Sequence, residues 1–235
     1  MQRFFALLSL GLLLLLPHFA AGQNTNSFEL LDGDRVALIG DTFIEREQSY
    51  GYLEYLMTIR YPGRDIKFRN LGWSADTPVG VSRAGFDTPD KGFDRVKEQI
   101  TAFKPTVVFI GYGMASSFDG IAGLDRFKSE MEKLMDSIQD ICGKDKVRFV
   151  LLSPIRHEKL FAPLPDPAEH NQVLEQYVKA IESLAQKRDA WYISFFTKLD
   201  NRTLGGNYYP LTDNGIHLTD YGYRRAAETL GYAFK

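Results

Sequence analysis

The sequence predicts an α/β fold, a mostly parallel sheet covered by helices on both faces. Three observations carry that expectation. Short β-type apolar runs alternate with longer segments of helical periodicity. Those longer segments carry apolar stripes at spacings of three and four, as a helix with one buried face requires. Glycine-containing polar motifs follow directly on the strand ends, where open α/β sheets bind their ligands.

Taken in order, residues 1–22 read as a signal peptide. Arg3 supplies a positive start, Phe4 to Leu16 form an apolar run, Pro17 breaks it, and Ala20-Ala21-Gly22 places small residues at a cleavage site. A membrane-spanning helix needs about 20 apolar residues, so cleavage before Gln23 is expected, with an uncleaved anchor as the alternative. No cysteine follows the run, so an acylated lipoprotein is not expected. The implied location is secreted or periplasmic, with no stable membrane insertion after cleavage. Residues 23–33 are polar and form a loose lead-in, and residues 34–235 make one domain, a length within reach of a single core.

The expected strands are Arg35–Ile39, Ile66–Leu71, Thr106–Gly111, Val147–Ser153 and Trp191–Ile193. Ile121, Leu124, Phe127, Met131, Leu134, Met135, Ile138 and Ile141 place one stripe on a helix from about 121 to 142. Val173, Leu174, Tyr177, Val178, Ile181 and Leu184 do the same for a later helix. Thr219 is the expected cap of a last one that runs through Ala226, Ala227 and Leu230.

Composition excludes some functions. The formal net charge is −2, it stays mildly negative once the leader is removed, and no dense Lys/Arg block occurs. Nucleic-acid binding therefore has no electrostatic support. Cys142 is the only cysteine, so no intrachain disulfide can form. At the end of an amphipathic stripe it reads as a core thiol rather than a zinc ligand, since no partner cysteine stands at a suitable spacing.

Four segments lie where such a fold places its chemistry. Gly40-Asp41-Thr42 follows the first strand, with a helix expected after it. Asn70-Leu71-Gly72-Trp73-Ser74-Ala75-Asp76-Thr77 follows the second, and Gly111-Tyr112-Gly113-Met114-Ala115-Ser116 ends the third. Asp213-Asn214-Gly215-Ile216-His217 precedes the last helix. Each is weak alone. In this order, over almost the whole mature chain, the pattern resembles the SGNH (GDSL-like) hydrolase superfamily. Its Gly-Asp-Ser block is similar to residues 40–42, its Asn-x-x-x-Ser-Gly-Asp-Thr stretch to residues 70–77, and its Asp-Gly-Ile-His to residues 214–217.

The resemblance implies a flavodoxin-like α/β/α sandwich with a mostly parallel five-stranded sheet, and hydrolysis of small acyl esters without cofactor or metal. In that mechanism a serine hydroxyl attacks the carbonyl and a histidine takes its proton. A carboxylate three residues before the histidine orients it, and backbone N–H groups with an Asn side chain hold the oxyanion. Carried over by position, Thr42 takes the nucleophile's place, with an added methyl that stiffens χ1 and crowds the attacking oxygen. Asp41 precedes it. Ala75 stands for the oxyanion glycine. Gly113 in strict register, or Ala115 with a two-residue shift, stands for the usual Asn. Asn214 replaces the orienting Asp, with Asp213 one residue too early, and His217 matches in full.

These departures leave two functions open: an ester hydrolase of weak activity, acting on small or glycan acyl esters, or a catalytically degenerate relative that binds a glycan or protein. Trp73, Tyr112 and Phe118 are expected near the site rim, with glycan stacking and core packing as alternative roles; Tyr208 and Tyr209 are similarly ambiguous. Arg156-His157-Glu158 reads as a solvated loop, with anion binding as the alternative, and His170 as exposed. Asn201-Arg202-Thr203 is a glycosylation sequon. A metal-dependent phosphoesterase using Asp41, Asp76, Asp213 and His217 is a further class, disfavoured because the His-x-His and Asp-x-His patterns such sites use do not occur.

Overall fold

A computed structural model describes residues 28–199 and 209–234. The expected leader and the Asn201 sequon lie outside the described residues, as does Tyr208. In chain order the elements are β1 (Arg35–Gly40), α1 (Thr42–Glu47), α2 (Tyr52–Arg60), β2 (Lys67–Asn70), α3 (Pro89–Phe103), β3 (Val107–Gly111), α4 (Met114–Ser117), α5 (Leu124–Cys142), β4 (Arg148–Leu152), α6 (Ala168–Lys187), β5 (Trp191–Ile193), α7 (Phe195–Lys198) and α8 (Asp220–Gly231). The five strands form one sheet in the order β2-β1-β3-β4-β5, and every pairing is parallel.

Strand sequences explain the layering. Successive side chains of a strand point to opposite faces, and β1, β3 and β4 are apolar at nearly every position because both faces are covered. Val36, Leu38, Val107, Phe109, Val150 and Leu152 pack into one core with Ile44, Leu53, Met57, Tyr223 and Leu230 of α1, α2 and α8. Ala37, Ile39, Val108, Ile110, Phe149 and Leu151 pack into the other, against Phe93, Val96 and Ile100 of α3 and the stripes of α5 and α6.

All five expected strands occur, β5 at its expected bounds and the other four shortened or extended by a residue or two. The cap of α8 is as expected, with Thr219 Oγ1 accepting from the Gly222 N–H at 3.1 Å. α5 starts later than its stripe suggested. Residues Ile121–Gly123 form a 3-10 turn, and Ile121 is exposed rather than part of the buried face. The lead-in is loose only in part: Phe28 and Leu30 are buried, and the Phe28 N–H donates to the Ala233 carbonyl at 3.0 Å. Four helices, α2, α3, α4 and α7, had no counterpart in the sequence expectations. α3 was readable, with Pro89 at its first position and Phe93, Val96 and Ile100 at spacings of three and four.

The topology positions the site. From β1 the chain passes to β2 on one side, then returns to place β3 on the other. Between the carboxyl ends of β1 and β3 the two crossovers therefore part, opening the crevice where such sheets bind ligands.

Candidate active site

Asp41 leaves β1 and caps α1. It is buried, its Oδ1 accepts from the Phe43 N–H at 3.2 Å, and its Oδ2 accepts from the Ala115 N–H at 3.4 Å. One carboxylate thus ties the β1 and β3 ends together. Burial, only partly offset by these backbone donors, pushes its pKa up to about 6. The next residue, Thr42, points its hydroxyl into the crevice, where Oγ1 accepts from the Ala75 N–H at 2.8 Å. The Thr42 N–H itself has no partner among the described residues.

Ala75 holds this position in a left-handed conformation, φ 52°, which costs a Cβ-bearing residue about 1–2 kcal/mol. The loop around it is fixed from both ends. Gly72 lies so close to α1 that a Cβ there would come within 2.3 Å of the Glu45 nitrogen. Asp76 is fully buried and pairs with Arg83 at 2.6 Å, while Arg83 also donates to the Leu71 carbonyl and to Gln99. Asp76 is therefore spent on the loop's own framework, which removes it from any ligand set. Among the described residues no group of three or more His, Cys, Asp or Glu side chains could hold a metal ion.

His217 sits on the turn before α8. Asn214 Oδ1 accepts from the Ile216 and His217 N–H groups at 3.2 and 2.9 Å, so its amide nitrogen faces His217 Nδ1 at 3.1 Å. A carboxamide nitrogen only donates. His217 Nδ1 must then accept, which places the neutral ring's proton on Nε2. Burial, with Arg46 nearby, lowers the His217 pKa, consistent with a neutral ring. Asp213, the neighbouring carboxylate, is engaged elsewhere, pairing with Arg46 at 2.9 Å.

The turn hangs on Glu158. Its carboxylate accepts from the Leu211 N–H, the Thr212 N–H and the Thr212 hydroxyl at 3.1, 2.7 and 2.6 Å, and its own N–H donates to the Gly215 carbonyl at 2.8 Å. Gly215 has φ 96°, and a Cβ there would meet the His157 ring at 2.7 Å. This corrects two expectations. His157 is buried, not part of a solvated loop, and His170 is not free in solvent. The Ser117 hydroxyl donates to the Met114 carbonyl and receives from His170 Nε2 at 2.8 Å. His170 Nδ1 then accepts from His157 Nδ1 at 2.9 Å. Burial and the second imidazole push the His170 pKa down to about 4, so the chain of bonds stays neutral.

Thr42, Ala75, Ala115 and His217 line one cleft of about 260 Å³, together with Asp41, Phe43, Met114, Phe118, Ile155 and Ile216. No hydrogen bond joins Thr42 to His217 among the described residues. Ala115, and not Gly113, lines the cleft; a Cβ on Gly113 would press against Pro154 and Ile181 at 3.3 and 3.4 Å. Trp73 is not in the cleft lining. It stands half-exposed over a neighbouring groove. Of the other aromatics, Tyr112 is buried under the cleft floor and Phe118 is exposed at its rim, stacked on His170 at 4.3 Å. Sequence reasoning missed Ile155, Ile216 and the Glu158 anchor. Only Ile216, inside the recognised 214–217 block, carried a signal that could have found it.

A family model described as the GDSL-like Lipase/Acylhydrolase family matches residues 38–225. Among solved structures, Axe2, an acetylxylan esterase from Geobacillus stearothermophilus, has a TM-score of 0.65 at 17% identity, covering 88% of this chain and 96% of that one. A structure from Parabacteroides merdae described as a GDSL-like lipase has a TM-score of 0.68 at 13% identity, covering 88% and 98%. A gut microbial diltiazem-metabolizing enzyme has a TM-score of 0.63 at 15% identity, covering 87% of this chain and 47% of its own. No curated protein sequence matches significantly. At these identities the structural likeness speaks for the fold. The family match does more, because it runs from within β1 to within α8 and so takes in every segment that lines the cleft: the chain belongs to the GDSL-like lipase/acylhydrolase family.

Proposed function

We propose that this protein is an exported ester hydrolase that removes small acyl groups, acetyl groups on glycans in particular, with Thr42 as nucleophile and His217 as its proton acceptor. The observation that carries the reading is the Thr42 hydroxyl bonded to the Ala75 N–H at 2.8 Å in a cleft that His217 shares. The free Thr42 N–H and the Ala75 N–H are the two donors available to a developing oxyanion. The mostly apolar cleft, at about 260 Å³, suits an acetyl group better than a long acyl chain. The acetylxylan esterase among the structural relatives supports a glycan ester as substrate. Export rests on the apolar run ending at Ala20-Ala21-Gly22.

Turnover in this reading is slow. The resting His217 carries its proton on Nε2, the nitrogen that has to accept one from Thr42. The same observation favours a second reading, in which the cleft binds an acylated ligand without cleaving it. Hydrolysis of 4-nitrophenyl acetate by purified protein, compared with Thr42→Ala, decides between them. Activity that disappears in the variant supports the hydrolase. Activity equal in both, or absent in both, leaves the binding protein.

A further inference from the structure

We propose that the polar groove beside the cleft is a subsite for one neutral sugar ring of the ligand, a proposal that rests on the glycan-ester reading above. The groove, about 520 Å³, is walled by Trp73 and lined by Glu45, Gln48, Asn70, Arg83 and Gln99. Trp73 is 47% exposed, a large apolar face left in water beside a site. Its backbone is not loose, since the Trp73 N–H donates to the Gly40 carbonyl at 3.1 Å. An indole held this way presents a rigid platform at little entropic cost, and the C–H face of a pyranose is its usual complement.

The polar groups select against an anionic ligand. Arg83 is buried and spends three of its five N–H groups on Asp76, Gln99 and the Leu71 carbonyl, so its charge is already matched by the Asp76 carboxylate and offers little to an anion. Asn70 is largely committed as well, its oxygen accepting from Gly72 and Gln48 and one of its two N–H groups donating to the Ile44 carbonyl. What stays open is the Gln99 amide nitrogen and one N–H each of Asn70 and Gln48 as donors, and the Gln48 oxygen and one Glu45 oxygen as acceptors. The other Glu45 oxygen takes the Ser74 hydroxyl at 3.0 Å. Planar donors and acceptors around one aromatic face suit vicinal hydroxyls.

The groove and the cleft share a wall. Glu45 lies one turn after Thr42 on α1, and Trp73 is two residues before Ala75, whose N–H meets the Thr42 hydroxyl. A ring seated on Trp73 therefore directs a substituent, or its neighbour's, toward Thr42.

The test is calorimetric titration of the protein with three neutral, unesterified β-1,4-linked trisaccharides, of xylose, glucose and N-acetylglucosamine. Saturable binding of at least one is expected, weakened at least tenfold by Trp73→Ala and at least threefold by Gln99→Ala. No binding of any trisaccharide, or wild-type affinity in both groove variants, overturns the subsite. Gln99 is exposed, so its variant keeps the test decisive if Trp73→Ala fails to fold. The outcome is separable from the hydrolase reading. Acetyl-ester turnover without trisaccharide binding removes the subsite alone, and binding without turnover removes the hydrolase alone.

Discussion

Replacing Asn214 by Asp tests the proposed chemistry at the bond that limits it. In the native protein Asn214 Oδ1 is held by two backbone N–H groups, so the amide nitrogen must face His217 Nδ1 at 3.1 Å. A carboxylate keeps both backbone bonds and turns an acceptor toward Nδ1. The imidazole then carries its proton on Nδ1, and the Nε2 lone pair is free to take the Thr42 proton. In a Ser–His–Asp triad the opposite change, Asp to Asn, costs about 10⁴ in turnover, or about 5.5 kcal/mol. Two obstacles persist here, since the Thr42 methyl still crowds attack and position 115 offers no side-chain oxyanion donor. About half of that free energy is the expected recovery, a gain of at least about a hundredfold in kcat/KM. The assay is 4-nitrophenyl acetate hydrolysis from pH 5 to 9, with thermal melts to check folding. The His217 limb of the pH profile should move upward, because a negative charge beside the imidazole favours its protonated form. A folded variant with less than a threefold gain, whether or not that limb moves, would refute His217 as the proton acceptor.

Three further outcomes follow from the geometry. Ala75→Gly relieves the left-handed conformation at φ 52° and should stabilise the fold by about 0.5–1 kcal/mol in urea titrations, after the added freedom of the unfolded chain is counted. Arg83→Leu leaves the buried Asp76 carboxylate uncompensated, for a loss of about 3–5 kcal/mol at pH 7 that shrinks as acid protonates Asp76; a loss independent of pH would count against the pair. Glu47 is buried with Oε2 unpartnered, and burial pushes its pKa up to about 7. A carboxyl with a raised folded pKa binds its proton more tightly when folded, so stability falls as pH rises from about 4.5 to about 7, by up to about 3 kcal/mol. Asp41 adds the same sign at lower pH. Glu47→Gln should remove most of the slope near neutrality in melts run from pH 4 to 8.

The sequence by itself determined the layered fold and the positions of the four site segments. Apolar runs such as Val107–Gly111 can be satisfied only where both faces are covered, and the stripes of α5 and α6 name the faces that cover them. The blocks at 40–42, 70–77 and 214–217 were legible through their resemblance, in this order and at strand or helix ends, to the blocks of the SGNH hydrolases. What the sequence did not decide depends on which atom faces which. Gly113 and Ala115 were both open until the cleft lining took in Ala115 and left Gly113 packed against Pro154 and Ile181. Asp213 stood one residue too early to orient His217, and Arg46, far away in sequence, claims its carboxylate. His157, His170 and Glu158 read as surface residues because each is polar and locally unremarkable. Their partners are brought to them only when the 154–158 loop packs against α6 and the turn before α8. The His217 tautomer is settled in the same way, since a residue type states which bonds it can form and only the packed turn states which of them are already taken.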